Sequence, residues 1–143
     1  MTTPGAPGVP CWIDIMTSDE AKTRAFYSEL FGWTAAEGSA EFGGYFMFLR
    51  NDLPVAGAMP QVVGQESPDQ WTVYLASDDA RKTVEVALTA GAEQVVEAMD
   101  IADLGTMAVI NDVAGARVGI WQANTFPGIP VRGEVGAQSW FEL

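Results

Sequence analysis

The segment Ile13-Asp-Ile-Met-Thr-Ser-Asp-Glu-Ala21 is echoed by Val73-Tyr-Leu-Ala-Ser-Asp-Asp-Ala80, and in each copy a glycine, Gly32 or Gly91, follows the Ser-Asp aspartate by thirteen residues. A chain that uses one unit twice folds as two like halves, which removes most alternatives at once. Each copy reads as an alternating strand, a turn able to cap a helix, about three helical turns and a glycine stop.

In the first copy a strand is predicted over 11–16, with Ile13 and Ile15 on one face and Trp12, Asp14 and Met16 on the other. Thr17-Ser-Asp-Glu20 has the form of a capping box, and its acidic residues suit the positive end of a helix dipole. Phe26 with Leu30 and Tyr27 with Phe31 make i, i+4 apolar pairs, so the helix is expected to lay an aromatic face on a sheet before Gly32 ends it. Strands are predicted at 33–36, 45–50 and 54–59, the last two joined by a tight turn at Asn51-Asp52. The polar stretch 62–70, with Gly64 and Pro68, is the joint between copies.

The second copy predicts a strand at 71–76, a helix over 79–90 and strands near 94–97, 106–111 and 117–122, with Asp112-Val-Ala-Gly115 as the last hairpin turn. Each half is βαβββ. The expected architecture is therefore α+β: two βαβββ repeats forming a curled eight-stranded mixed sheet around a cavity, with two helices on the outer face. Residues 1–10, with three prolines and two glycines, form an extended lead-in. One domain spans 11–122, its halves 11–61 and 71–122, and 123–143 hold a linker and an extra strand.

A chain of 143 residues is long enough to bury a core of its own. Its 7 basic and 19 acidic residues leave a net charge of −12, which repels a phosphate backbone or an anionic lipid surface. Neither nucleic acid nor membrane is an expected partner. No apolar run approaches the roughly 20 residues that span a bilayer, and the first residues lack a signal-peptide pattern, so a cytoplasmic location is expected. Cys11 is the only cysteine, and with no histidine to activate it, it reads as a small buried side chain.

Ser18-Asp19 seven residues before Phe26-Tyr27, then Leu30-Phe-Gly-Trp33, Ser77-Asp-Asp-Ala80, Ala90-Gly91 and Asn111-Asp-Val-Ala-Gly115, form a pattern that resembles the vicinal oxygen chelate superfamily. That superfamily includes glyoxalase I, extradiol dioxygenases and bleomycin-binding resistance proteins. Pro10-Cys-Trp-Ile-Asp-Ile15, Trp71-Thr-Val-Tyr-Leu75 and Gly119-Ile-Trp-Gln122 look like the tandem glyoxalase-like proteins, in which two modules follow each other. Ser139-Trp-Phe-Glu-Leu143 repeats Cys11-Trp-Ile-Asp-Ile15 in pattern. Two readings of this tail stay open: a chain that stops as a second module begins, or a homodimer in which the spare strand is exchanged between subunits.

The resemblance implies four metal-ligand positions, filled in the family's enzymes by His, Gln or Glu. Here they fall on Trp12, on Thr72 (or Trp71 by a strict 59-residue offset), on Gly119 and within Val55 to Met59, none of which supplies the family's donors. No metal or other cofactor is expected. What the same face offers is aromatic: Trp12, Tyr74 and Trp121, with Asp14 and Thr72, joined by Tyr45 and Met47 from the third strand. Such walls suit a planar or cationic small molecule by stacking and cation–π attraction, or else they fill a closed core. Ligand lining is favoured because Ile13, Ile15, Val73, Leu75, Val118 and Ile120 already serve the helix side.

Asp14 is the one carboxylate in the set, able to meet a cationic ligand, to act as a general base, or to accept structural hydrogen bonds. The leading expectation is a metal-independent small-molecule binding protein of the bleomycin-resistance type rather than an enzyme. The alternative is a superfamily enzyme of the lyase, isomerase or oxygenase type, metal-dependent or using Asp14 as base. A third expectation is a module that works only beside a partner module.

Overall fold

The structure, a computed structural model, describes residues 5–64, 67–130 and 132–142. Its elements are β1 (Pro10–Thr17), α1 (Glu20–Phe31), β2 (Thr34–Ala35), β3 (Phe46–Arg50), β4 (Leu53–Pro60), β5 (Gln70–Ala76), α2 (Ala80–Thr89), β6 (Glu93–Ile101), β7 (Gly105–Asn111) and β8 (Arg117–Ala123). A short 3-10 turn at Ala40–Phe42, unmarked by any sequence periodicity, precedes β3. The strands make one open mixed sheet in the order β2-β3-β4-β1-β5-β8-β7-β6, so the fold is α+β with two βαβββ repeats. The chain divides into two compact units, one built on 13–71 and the other on 72–128 with the start of β1.

In the first unit β1 runs parallel to β4, and β3 is antiparallel to both β4 and β2. The register of β3 and β4 shifts between Phe48 and Leu49. That shift makes Val55 an extra residue, so Val55 and Ala56 are both buried although they are sequence neighbours. Trp33, Phe46, Phe48, Val55, Ala56 and Ala58 form the core beneath α1, joined by Ile13, Ile15, Tyr27 and Trp71. Asn51 and Asp52 both have positive φ, 50° and 61°, as the tight β3–β4 turn requires.

The helix α1 departs from expectation. Tyr27 faces the sheet, with ring centroids 5.6 Å from Trp33, 5.5 Å from Phe48 and 5.3 Å from Trp71, and its hydroxyl accepts a 2.9 Å hydrogen bond from Trp71 Nε1. Phe26 and Leu30 remain 57% and 55% exposed. Adjacent helix residues lie about 100° apart, so Thr23 and Tyr27 can face inward only if Phe26 and Leu30 turn out, and Phe31 at the end of the helix is left 40% exposed.

Capping also differs from the predicted box. The N-cap of α1 is Asp19, accepting from Lys22 N at 3.0 Å, and that of α2 is Asp79, accepting from Lys82 N at 3.0 Å. Thr17 Oγ1 accepts from Asp19 N and meets Thr23 Oγ1 at 2.6 Å, while Ser77 Oγ accepts from Asp79 N and meets Thr83 Oγ1 at 2.8 Å. Asp19, Thr23 and Thr17 thus correspond to Asp79, Thr83 and Ser77, and the structural offset is 60 residues rather than 59. Gly32 ends α1 in the left-handed conformation at φ 68°.

In the second unit β5 pairs in parallel with β8, and β7 is antiparallel to β8 and β6. The helix α2 packs Ala80 and Val84 onto Ala108, Ile110, Val118 and Ile120. The strand β6 is longer than the predicted 94–97 and changes register twice along β7. Asp69 fastens the joint before β5, accepting from Ser18 N at 2.9 Å, Ser18 Oγ at 2.8 Å and Gln61 Nε2 at 2.7 Å.

Candidate functional site

Strand alternation in the 72–128 unit sends Leu75, Val118 and Ile120 to the α2 side, which places Thr72, Tyr74, Gly119 and Trp121 on the opposite face. Tyr74 pairs with Gly119, and its ring lies across that glycine: a Cβ built there would stand 2.3 Å from Tyr74 Cδ1. Trp121 lies over Gly105 in the same manner, its indole 2.6 Å from where a Cβ would be. Trp12, at the start of β1, belongs to the same unit. Trp12, Tyr74 and Trp121 are 5%, 6% and 8% exposed, and Thr72 is buried beside them in sequence alternation.

One further aromatic residue joins this face without any signal in the strand pattern. Phe126, just beyond β8, stands edge-on to Trp12 with centroids 5.0 Å apart and an interplanar angle of 87°, and edge-on to Trp121 at 6.2 Å and 75°. Its carbonyl accepts a 2.9 Å hydrogen bond from Trp121 Nε1. Beside them a recess of about 220 Å³ opens at the ends of β5 and β8, lined by Cys11, Ser77, Asp78, Trp121, Gln122 and Pro127. Cys11 is buried with its thiol donating to Tyr74 O at 3.4 Å, and Gln122 Oε1 accepts from Ala80 N at 2.9 Å.

The remaining predicted residues lie in the 13–71 unit. Asp14 pairs with Gly57 in the parallel ladder and Met47 pairs with Gly57 in the antiparallel one, so all three share a face. Tyr45 reaches across Gly57, its hydroxyl 1.7 Å from an added Cβ, and donates to Asp14 Oδ2 at 3.4 Å. Asp14, Tyr45 and Met47 are each half-buried. In each unit, therefore, a tyrosine covers a glycine.

The fold family's enzymes imply a divalent metal, and the residues here do not fit one. With the 60-residue offset Trp12 corresponds to Thr72, while Trp71 belongs to the core beneath α1. Gly119 is covered by Tyr74, and the β4 residue on the matching face is Gly57, covered by Tyr45. Among the described residues no group of three His, Cys, Asp or Glu side chains is placed to hold an ion. An indole, a hydroxyl and two roofed glycines provide no converging set of oxygen or imidazole donors.

The carboxyl groups with a resolved shift, Asp19 and Asp100, lie outside both faces. Asp19 is held below the usual carboxylate range by its side-chain and backbone hydrogen bonds from Lys22, and Asp100 by hydrogen bonds from Thr106 and then Arg81. Asp19 caps α1, and Asp100 makes a surface contact with Arg81 and Thr106. Among the described residues, no helix is long and apolar enough to cross a membrane.

Residues 12–120 match the model of the glyoxalase-like domain. A protein of Mycobacterium tuberculosis named "Putative glyoxylase CFP32" is 36% identical over 140 residues, covering 95% of this chain and 54% of that protein. The anthracycline biosynthesis protein DnrV of Streptomyces peucetius is 38% identical over 152 residues, covering 96% of this chain and 55% of that protein. The chain spans about half the length of these relatives. Among solved structures, the Mn(II)-bound glyoxalase of Novosphingobium aromaticivorans has a TM-score of 0.55 at 15% identity, over 84% of this chain and 41% of that one. Methylmalonyl-CoA epimerase of Mycobacterium tuberculosis gives 0.56 at 12% identity, over 86% of this chain and 93% of that one. The match over residues 12–120, with the βαβββ repeats and their faces, makes this chain a member of the glyoxalase-like domain family, with the fold of the vicinal oxygen chelate superfamily.

Proposed function

We propose that this protein binds a small aromatic or cationic molecule without a metal, through the aromatic face of the 72–128 unit. The observation that carries this reading is the substitution of donors by rings: Trp12 stands at one implied ligand position and Tyr74 roofs Gly119 at another. Indole and phenol surfaces attract planar ligands by stacking and cations through the ring quadrupole. A net charge of −12 raises the local concentration of cations, and the exposed Asp78 carboxylate stands at the recess beside Trp121. The relative named for anthracycline biosynthesis supports the same class of ligand, since anthracyclines are fused-ring aromatics.

The test is a titration of the purified chain with proflavine, a planar aromatic cation, followed by tryptophan emission. Saturable quenching that is lost in Trp121→Ala is the expected result. Emission unchanged up to millimolar proflavine, with no shift in melting temperature, rejects the reading.

One contact favours a second reading, an enzyme that uses Asp14 as base: its carboxylate is half-buried and receives the Tyr45 hydroxyl at 3.4 Å. Such a pair could take up and return a proton next to a bound substrate. Turnover of an α-hydroxy thioester or a related carbonyl compound that disappears in Asp14→Asn would select this reading over simple binding.

A further inference from the structure

The ring of Phe126 stands where a ligand would have to go. It meets Trp12 and Trp121 edge-to-face, at 87° and 75°, and edge-to-face is one of the two geometries an aromatic guest adopts between indoles. We infer that Phe126 is an internal occupant of the slot between Trp12 and Trp121, a ring that an aromatic ligand displaces, so that this side chain sets the protein's affinity. The inference rests on the binding function proposed above.

The segment that carries Phe126 is a fixed strap with a movable side chain. Asn124 N and Phe126 N donate to Leu104 O at 2.9 and 3.1 Å, and Thr125 donates to Asp103 O through its N–H at 3.2 Å and its hydroxyl at 2.9 Å. Past the ring, Gly128 has a φ of 104° and lies so close to Cys11 that an added Cβ would be 2.1 Å from the Cys11 carbonyl oxygen. The strap is thereby held on both sides of Phe126. The ring itself is held only by packing. Phe126 is half-buried while both indoles are buried, so this residue is the more open of the three. A rotation about its χ1 that moved the ring out of the slot would break none of the strap's backbone hydrogen bonds.

Two consequences follow for the ligand. The space vacated is one six-membered ring wide, so the favoured guest presents a single aromatic edge, either as a monocyclic compound or as one end of a fused planar system. The measured dissociation constant is the intrinsic one divided by the fraction of molecules with the slot open. A closed slot also spares the protein an exposed pair of indoles when no ligand is present.

Proflavine titrations of the wild type, Phe126→Ala and Phe126→Leu test this, with thermal melts to verify folding. Phe126→Ala is expected to bind at least about tenfold tighter than the wild type, and Phe126→Leu to fall between them. Should the alanine variant fail to fold, the leucine variant decides by the same sign. In ¹H–¹⁵N spectra the indole N–H of Trp121 should stay hydrogen-bonded in the complex, because the Phe126 carbonyl does not move with the ring. Equal or weaker binding by both variants, with the wild type binding, overturns the inference while leaving the binding function intact. Absence of binding in all three proteins overturns both. Binding by the variants alone also overturns the inference, because the ligand then does not displace the ring in the wild type.

Discussion

Tyr74 and Gly119 are cross-strand partners in such close contact that the phenol ring takes the place of the glycine's missing side chain, 2.3 Å from an added Cβ. Neither a glutamate nor any other side chain can occupy position 119 while Tyr74 keeps its place. Gly119→Ala is expected to destabilise the fold by about 1–3 kcal/mol, because the ring must leave its rotamer or the strands must part. Adding Tyr74→Ala should recover part of that loss, with a coupling energy of about 0.5–3 kcal/mol in a urea-unfolding double-mutant cycle. Strict additivity would mean that the ring does not rest on the glycine.

The corresponding glycine of the other unit should behave more mildly. At Gly57 the obstructing atom is the hydroxyl tip of Tyr45, 1.7 Å from an added Cβ, and the end of a side chain moves more easily than its base. Gly57→Ala is expected to cost less than Gly119→Ala in urea unfolding, and less again in a Tyr45→Phe background. A larger cost in that background would show that the hydroxyl is not what the new methyl group meets.

Two aromatic residues that look alike in the sequence should separate sharply. Phe48 is fully buried in the core beneath α1, and Phe48→Ala is expected to cost about 3–5 kcal/mol. Phe26→Ala, on the outer stripe of the same helix, should change stability by no more than about 0.5 kcal/mol. Chemical denaturation of the two variants side by side is sufficient to check the helix orientation.

Acid sensitivity should pass through Asp19 and Asp100. Both carboxyls titrate below their ordinary value of 3.8 in the folded protein, Asp19 through hydrogen bonds from Lys22 and Asp100 through those from Thr106 and Arg81. A carboxyl lowered by folding adds stability that is present above its unfolded value and is lost as pH falls through its folded value. Melting temperature measured from pH 7 to pH 2 should therefore drop below about pH 4, and drop less steeply in Asp19→Asn and Asp100→Asn. An identical slope in both variants would exclude these two groups as contributors.

Divalent metals should leave the protein as they find it. A ligand at a hundredfold excess over its dissociation constant stabilises the native state by about 2.7 kcal/mol. Millimolar Zn²⁺, Ni²⁺ or Mn²⁺ is expected to produce no such rise in melting temperature, and purified protein is expected to carry well under one equivalent by elemental analysis. A stoichiometric metal would contradict the lack of fit at Trp12, Thr72, Gly119 and Gly57.

Strand alternation was legible because it is local: two-residue periodicity alone sorts Ile13 and Ile15 from Trp12 and Asp14, and Leu75 and Ile120 from Tyr74 and Trp121. Registration of the repeat was harder. The letters Ser-Asp align at 59 residues, yet the caps are chosen by which aspartate can reach the amide three residues on, and that chemistry selects Asp19 and Asp79. The orientation of α1 was ambiguous for a related reason, since Phe26–Leu30 and Tyr27–Phe31 are equally good apolar pairs, and the packing of Tyr27, stacked on Trp33 and edge-on to Trp71, decides between them. Phe126 carried no periodic signal. Its position depends on a strap held to Leu104 and Asp103, a contact across some twenty residues of chain.

The two ends of the sheet are unlike its middle. At one end β2 offers only two residues; at the other, β6 changes register twice and carries Glu93, Glu97 and Asp100 along its length. A strand arriving from another molecule would find too short a template at the first and an uneven, negatively charged one at the second. The open sheet therefore gives a fibre little edge on which to grow.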